Sequence, residues 1–169
     1  MEFMEVVTSR RSIRKFEKKP VPEETVKILL QAAMFAPSAG NQQPWHFIVV
    51  TERQKLDAVP AFHPYCSMIK DVSTAIVVCG APDGKKWPDF WVQDCSAAIQ
   101  NLLLAARNEG LGAVWTGVFP IEERMQGVRK LFNIPEDVMP LAIIPIGWPS
   151  MEGKKIDRYT QSLVHCESW

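Results

Sequence analysis

The chain has 169 residues, 47% hydrophobic and 22% charged, and its 19 basic and 19 acidic side chains leave no formal net charge. That length is most simply one domain with a proper core, and the charge balance leaves no global field to draw in nucleic acid or an anionic membrane. No apolar run approaches a membrane span, and residues 1–5 lack the basic-then-apolar pattern of a signal peptide. Four cysteines without a Cys-x-x-Cys pair fit reduced thiols, so a cytoplasmic protein is expected.

Residues 2–8 read as a short amphipathic helix that buries Phe3, Met4, Val6 and Val7. The run Arg10-Arg11-Ser12-Ile13-Arg14-Lys15-Phe16 follows, with four cations and a hydroxyl in six positions. Arginine suits bidentate contact with a phosphate and serine adds a neutral donor, but a solvated charged face explains such a run equally well. Pro22-Glu23-Glu24 opens a helix, with Val26, Leu29, Leu30 and Ala33 on one face and Pro37 beyond its end. Pro37 to Trp45 then holds small and amide residues (Ser38, Asn41, Gln42 and Gln43), which offer the mixed donors and acceptors that read a heterocycle's edge or merely form a polar loop.

A strand is expected over residues 46–51, a short surface helix over 52–59, and irregular chain over 61–70. His63 and Cys66 have ligand-like spacing, but the only other His/Cys pair, His165-Cys166, is adjacent, so no metal is expected. Residues 74–80 read as a strand buried on both faces. Trp87-Pro88-Asp89-Phe90-Trp91 crowds three aromatics before a long helix, residues 92–108, apolar on nearly every side and therefore buried centrally or against another subunit. Residues 112–119 read as a third strand interrupted at Gly117, where a backbone approaches something flat. An amphipathic helix (121–132), a fourth strand (141–146) and an unperiodic basic tail with Lys154, Lys155 and Arg158 complete the chain. The alternating elements alone read as one α/β-type domain.

Three stretches together resemble the nitroreductase family of FMN-dependent oxidoreductases: Arg-Arg-Ser-Ile-Arg-Lys-Phe from Arg10, Pro-Ser-Ala-Gly-Asn-Gln-Gln-Pro-Trp-His-Phe from Pro37, and Gly-Leu-Gly-Ala-Val-Trp-Thr-Gly from Gly110. Ile-Gly-Trp-Pro at 146–149 and Asp-Arg-Tyr at 157–159 extend the likeness across the chain, which matches a compact member. The resemblance implies an α+β fold over residues 1–169, with a central, mostly antiparallel sheet flanked by helices. It also implies an intertwined homodimer with an arm, residues 150–169, crossing to the partner.

By the same resemblance FMN is the cofactor, NAD(P)H the transient donor, and an electron-poor small molecule such as a nitroaromatic or quinone the acceptor. Arg10, Ser12 and Arg158 would bind the FMN phosphate, Arg11 partly through its main chain, and one of Lys154 and Lys155 would join them. Arg14 would face the flavin edge that becomes anionic on reduction. Ser38, Asn41 and Gln43 would approach from the other subunit, and Trp115, Thr116 and Gly117 would pass close to the flavin ring. Trp45 and Trp115 also have a plain core reading, and Trp87, Phe90 and Trp91 are candidates for the substrate wall. Catalysis would run at flavin N5 without a catalytic side chain of the protein's own. Larger members carry an Asn- or Gln-containing segment with a nearby cation at the pyrimidine edge; Tyr65 to Met68 has neither, so Gln43 replaces that contact or it is absent. Two other classes remain: an FMN-holding dimer that stores flavin or senses redox state, and, disfavoured by zero net charge, a nucleic-acid binder.

Overall fold

A computed structural model describes all residues except 152, 154 and 155, so Lys154 and Lys155, one of which is expected at the phosphate, lie outside the described residues. The centre is an antiparallel sheet whose strands are β1 (Trp45–Val50), β2 (Thr74–Gly80), β3 (Gly112–Ala113), β4 (Thr116–Gly117) and β5 (Met139–Gly147). They run in the order β1-β2-β5-β3, with β4 also paired to β5. Every paired strand is antiparallel, so the α/β reading from alternation gives way to the α+β class.

β2 is buried along its whole length, and its side chains alternate between two cores as the period of a strand requires. Ile76 and Val78 join the cluster under α2 (Glu23–Met34) and α4 (Trp91–Asn108). Ala75, Val77 and Cys79 face the cluster under α3 (Arg53–Ala58), the 3₁₀ turns at Pro64–Asp71 and α5 (Glu122–Phe132). A bulge skips Leu141, since Val78 pairs with Ala142 and Cys79 with Pro140. Both Leu141 and Ala142 consequently pack on the α2/α4 side.

Two expectations about elements change. The stretch 112–119 is not a single strand: it is split at Val114-Trp115, not at Gly117. Pro145 supplies the reason. Its carbonyl accepts the Val114 N–H at 3.4 Å, so the N–H that proline lacks belongs on this same side and the ladder cannot continue. Trp115 sits at the break and is exposed, against its core reading, whereas Trp45 is buried. In α1 (Phe3–Ser9) only Val6 is buried; Phe3, Met4 and Val7 are exposed in this chain.

The basic run lies along the sheet's edge. Ser12 bridges Ala113 in parallel and Phe16 bridges Pro149; the Ile13 N–H donates to the Ala113 carbonyl and the Ser150 N–H to that of Lys15, each at 3.1 Å. Phe16 is buried and Ile13 packs over Gly112, where an added Cβ would lie 2.8 Å from it. The two apolar residues fix the run, and the cations between them are left on its outer side.

Candidate functional site

Arg10 and Arg11 sit where α1 gives way to the edge bridge, and they line one cleft with Arg158 and Tyr159 from the tail. The three guanidiniums crowd together. Burial, then Arg158, then Arg11 lower the pKa of Arg10, the effect of desolvation and of like charges close by. Glu5 and Asp157 also border the cleft. Arg11 donates from Nη1 to the Arg10 carbonyl at 2.6 Å. Ser12 is exposed two residues on.

A second cleft begins four residues after Arg10. Arg14 borders it together with Tyr65, Ser67 and Met68 from the 3₁₀ turns, Trp115, Thr116 and Gly117 from the broken strand, and Arg124 from α5. Gly117 gives it a flat wall: a Cβ there would meet nothing within 4 Å. The other glycines inside strands differ. A Cβ at Gly80 would lie 2.4 Å from the Trp91 ring, and one at Gly112 would strike Ile13. The Thr116 hydroxyl is turned inward, donating to the Ile143 carbonyl at 2.6 Å, so Thr116 offers this cleft its main chain.

Two residues given no part in the flavin site from sequence, Arg124 and His63, border this cleft. Arg124 donates to the Gly117 carbonyl at 2.9 Å and lies 5.4 Å from the Tyr65 ring centroid. It is a cation beside the segment in which no cation was found from sequence; its place on a polar helix face one turn into α5 carried no signal. His63 is 1% exposed, and neither ring nitrogen makes a hydrogen bond of good geometry among the described residues. Burial and then Arg124 hold its pKa below the ordinary histidine value, against the weaker pull of the Gly117 carbonyl, so it is neutral at pH 7. The neighbouring Cys66 thiol is pushed up to about 11 by burial, only partly offset by its contact with Thr116. No group of three or more His, Cys, Asp or Glu that could hold a metal occurs among the described residues.

Ser38, Asn41 and Gln43 line neither cleft. They close on one another instead: the Gln43 N–H donates to Ser38 Oγ at 3.0 Å, and Gln43 Nε2 to Asn41 Oδ1 at 3.0 Å. Asn41 and Gln43 are exposed. Gln42, which the sequence reading left without a role, ties this loop to Trp87, and the buried Asp94 lies beneath it. Asp94 had a legible signal, being the one acidic residue of the mostly apolar α4.

The aromatic trio divides. Trp91 is not a pocket wall: it is buried, packed edge-on against Phe119 at 5.0 Å between centroids and pressed on Gly80. Trp87 and Phe90 are about half exposed and remain available. A proline-led 3₁₀ turn at Pro88–Phe90 rotates these two away from the helix that carries Trp91 inward.

The profile described as "Nitroreductase family" matches residues 7–75 and 64–148 of this chain. A protein of Methanothermobacter thermautotrophicus, provisionally named NADH dehydrogenase/NAD(P)H nitroreductase, is 50% identical over 169 residues, covering 100% of this chain and 88% of its own. A crystal structure under the same provisional name, from Parabacteroides distasonis, has a TM-score of 0.93 at 41% identity, with 99% of this chain and 98% of that one covered. The structure of an FMN-dependent nitroreductase from Clostridium difficile gives 0.91 at 27% identity over 98% of this chain and 99% of that one.

Proposed function

The chain belongs to the nitroreductase family, and from that premise we propose that it is an FMN-dependent oxidoreductase. It takes a hydride from NAD(P)H and passes the reducing equivalents to electron-poor small molecules, nitroaromatics or quinones among them. The observation that carries this reading is the open wall at Gly117 facing a cleft that Arg14 borders. A planar ring can lie against a backbone only where no side chain intervenes.

The residues present fit the group. Arg10 and Arg158, with Arg11 beside them, form a cation cluster whose mutual repulsion an FMN phosphate would relieve. Ser12 supplies a hydroxyl on the same exposed edge. Arg14 places a fixed cation in the Gly117 cleft, where it would stabilise negative charge gained on reduction. Trp115, Thr116 and Gly117 contribute main chain at the wall. Bound FMN supplies the hydride chemistry at N5, and the protein supplies position and electrostatics. No Gly-x-Gly-x-x-Gly stretch exists in the sequence, so NAD(P)H docks transiently on the exposed face rather than in a dinucleotide fold.

The working unit is a homodimer. Among the described residues, Ser38, Asn41 and Gln43 line neither the Arg10 cleft nor the Arg14 cleft, as contacts serving the partner subunit's cofactor would. Phe3, Met4, Ile28, Met34 and Phe35 are exposed, the last at 87%, more large apolar surface than a lone protomer of this size comfortably shows to water. The tail after Ser150 is exposed throughout its described residues and carries Tyr159, Leu163, Val164 and Trp169 outward, as an arm laid on a second subunit would. Trp87 and Phe90 are the acceptor wall. Fluorescence titration of FMN with sedimentation analysis tests the reading: quenching at one FMN per chain in a dimer is expected, and unquenched flavin would end it.

A further inference from the structure

The Ser38–Gln43 loop is held in an unusual shape. Gly40, Asn41 and Gln43 have φ of 55°, 54° and 47°, three left-handed residues in four positions, two of them not glycine. Such conformations persist only where surrounding contacts over-determine them, and they gather at functional sites. The contacts that do so here come from one helix and one turn. Asp94, 5% exposed on the first turns of α4, accepts the Ala39 N–H at Oδ1 (2.9 Å) and Gln42 Nε2 at Oδ2 (3.0 Å). The same Gln42 amide closes both ways on Trp87: Nε2 donates to the Trp87 carbonyl at 2.8 Å, and the Trp87 N–H donates to Oε1 at 3.1 Å. The Trp87 indole lies over Gly40 so closely that a Cβ there would sit 3.1 Å from it.

No cation pairs with Asp94 among the described residues. Its charge is met by two N–H donors and by the positive end of α4. A carboxylate buried in this way is costly unless its donors stay in place, so it enforces the loop geometry rather than merely tolerating it. Gln42 is the connecting part, since one side chain joins the acid to the Trp87 main chain.

We infer that Gln42 and Asp94 are positioning residues that lock the loop bearing Ser38, Asn41 and Gln43 to the Trp87 segment, so that the cofactor contacts and the acceptor wall form one rigid unit. The inference rests on the proposed function, which gives both segments their roles. Each acts through the protein groups it holds, Ala39 and Gln42 for Asp94, Trp87 for Gln42.

The test exchanges donor and acceptor. Gln42→Glu sets a second carboxylate against Asp94 and removes the donor to the Trp87 carbonyl. Adding Asp94→Asn restores a donor facing position 42 while its remaining oxygen still accepts from Ala39. The dimer is titrated with FMN, and at saturating FMN the KM for a nitroaromatic acceptor is read separately from kcat. Gln42→Glu is expected to weaken FMN binding at least about tenfold and raise KM several-fold with kcat within about twofold; the double variant should recover FMN binding to within about threefold and KM only in part, because the donor to the Trp87 carbonyl stays lost. Wild-type Kd and KM in Gln42→Glu, while the parent binds FMN, would overturn this inference and leave the functional reading standing. A double variant as weak as the single one would overturn the pairing. Absence of FMN binding by the parent would remove the reading itself, and the inference with it. Should the double variant not fold, the single variant's Kd and KM decide.

Discussion

Gly117→Ala separates a structural glycine from one kept open for a ligand. The residue lies in β4 with an ordinary extended φ, and an added methyl would have no atom within 4 Å. In the apoprotein the change should therefore do no harm. Restricting the unfolded chain stabilises by about 0.4–1 kcal/mol when the native backbone accepts alanine, which raises the melting temperature by about 1–4 °C at this chain length. With a flat ring against the wall the same methyl is an overpacking substitution worth about 1–3 kcal/mol, so FMN affinity should fall by about 5- to 150-fold. Gly112→Ala is the control, because its Cβ would lie 2.8 Å from Ile13, and it should destabilise the apoprotein by about 1–3 kcal/mol. Calorimetric titration with FMN and thermal melts of the apoproteins read both quantities. A Gly117→Ala protein that binds FMN as tightly as the parent would refute the placement of the ring at this wall.

Arg10→Ala should lower FMN affinity by about 10- to 150-fold, the loss of a charge-assisted phosphate contact, with no loss of apoprotein stability, because Arg10 is crowded by Arg158 and Arg11; equal FMN retention would sink the phosphate role. His63 has a lowered pKa in the folded state, so the unfolded chain binds more protons below about pH 6.5 and stability must fall as pH drops from there toward the folded value, by at most about 1.4 kcal/mol per unit. His63→Phe should flatten that slope in urea unfolding at pH 7.5, 6 and 5, and an unchanged slope would show that the imidazole is not held neutral. Among the thiols, burial pushes Cys66 up to about 11 and Cys79 and Cys95 up to about 12, whereas Cys166 is exposed. Ellman's reagent at pH 8 should label one thiol in the native protein and four after denaturation; fast labelling of a second thiol would contradict the packing.

The fold was legible wherever apolar periodicity was long. β2, α2, α4 and α5 were readable because each repeats its burial pattern over seven or more residues. The break at Val114-Trp115 was not readable, because its cause, Pro145, lies on a different strand and matters only once the register is known. The same holds for the aromatic trio: Trp91 turns inward because the first residue of a helix points differently from the 3₁₀ turn before it, and composition carries no sign of that. In the candidate site, the arginines and the amide loop announced themselves by residue type. Arg124 did not; Asp94, a lone acid in its helix, and Gln42, one amide of the loop, showed their residue types but not their tasks, which depend on groups brought near by folding.

The most direct measurement is anaerobic. Purified protein, reconstituted with FMN and freed of excess, is titrated with NADH and with NADPH while the visible flavin band is followed, and a nitroaromatic is then added without oxygen. Stoichiometric bleaching by at least one of the two nucleotides, reversed on addition of the acceptor, is the expected result. A protein that holds FMN yet leaves the band unbleached with both nucleotides would contradict NAD(P)H-driven turnover and favour a flavin store or sensor.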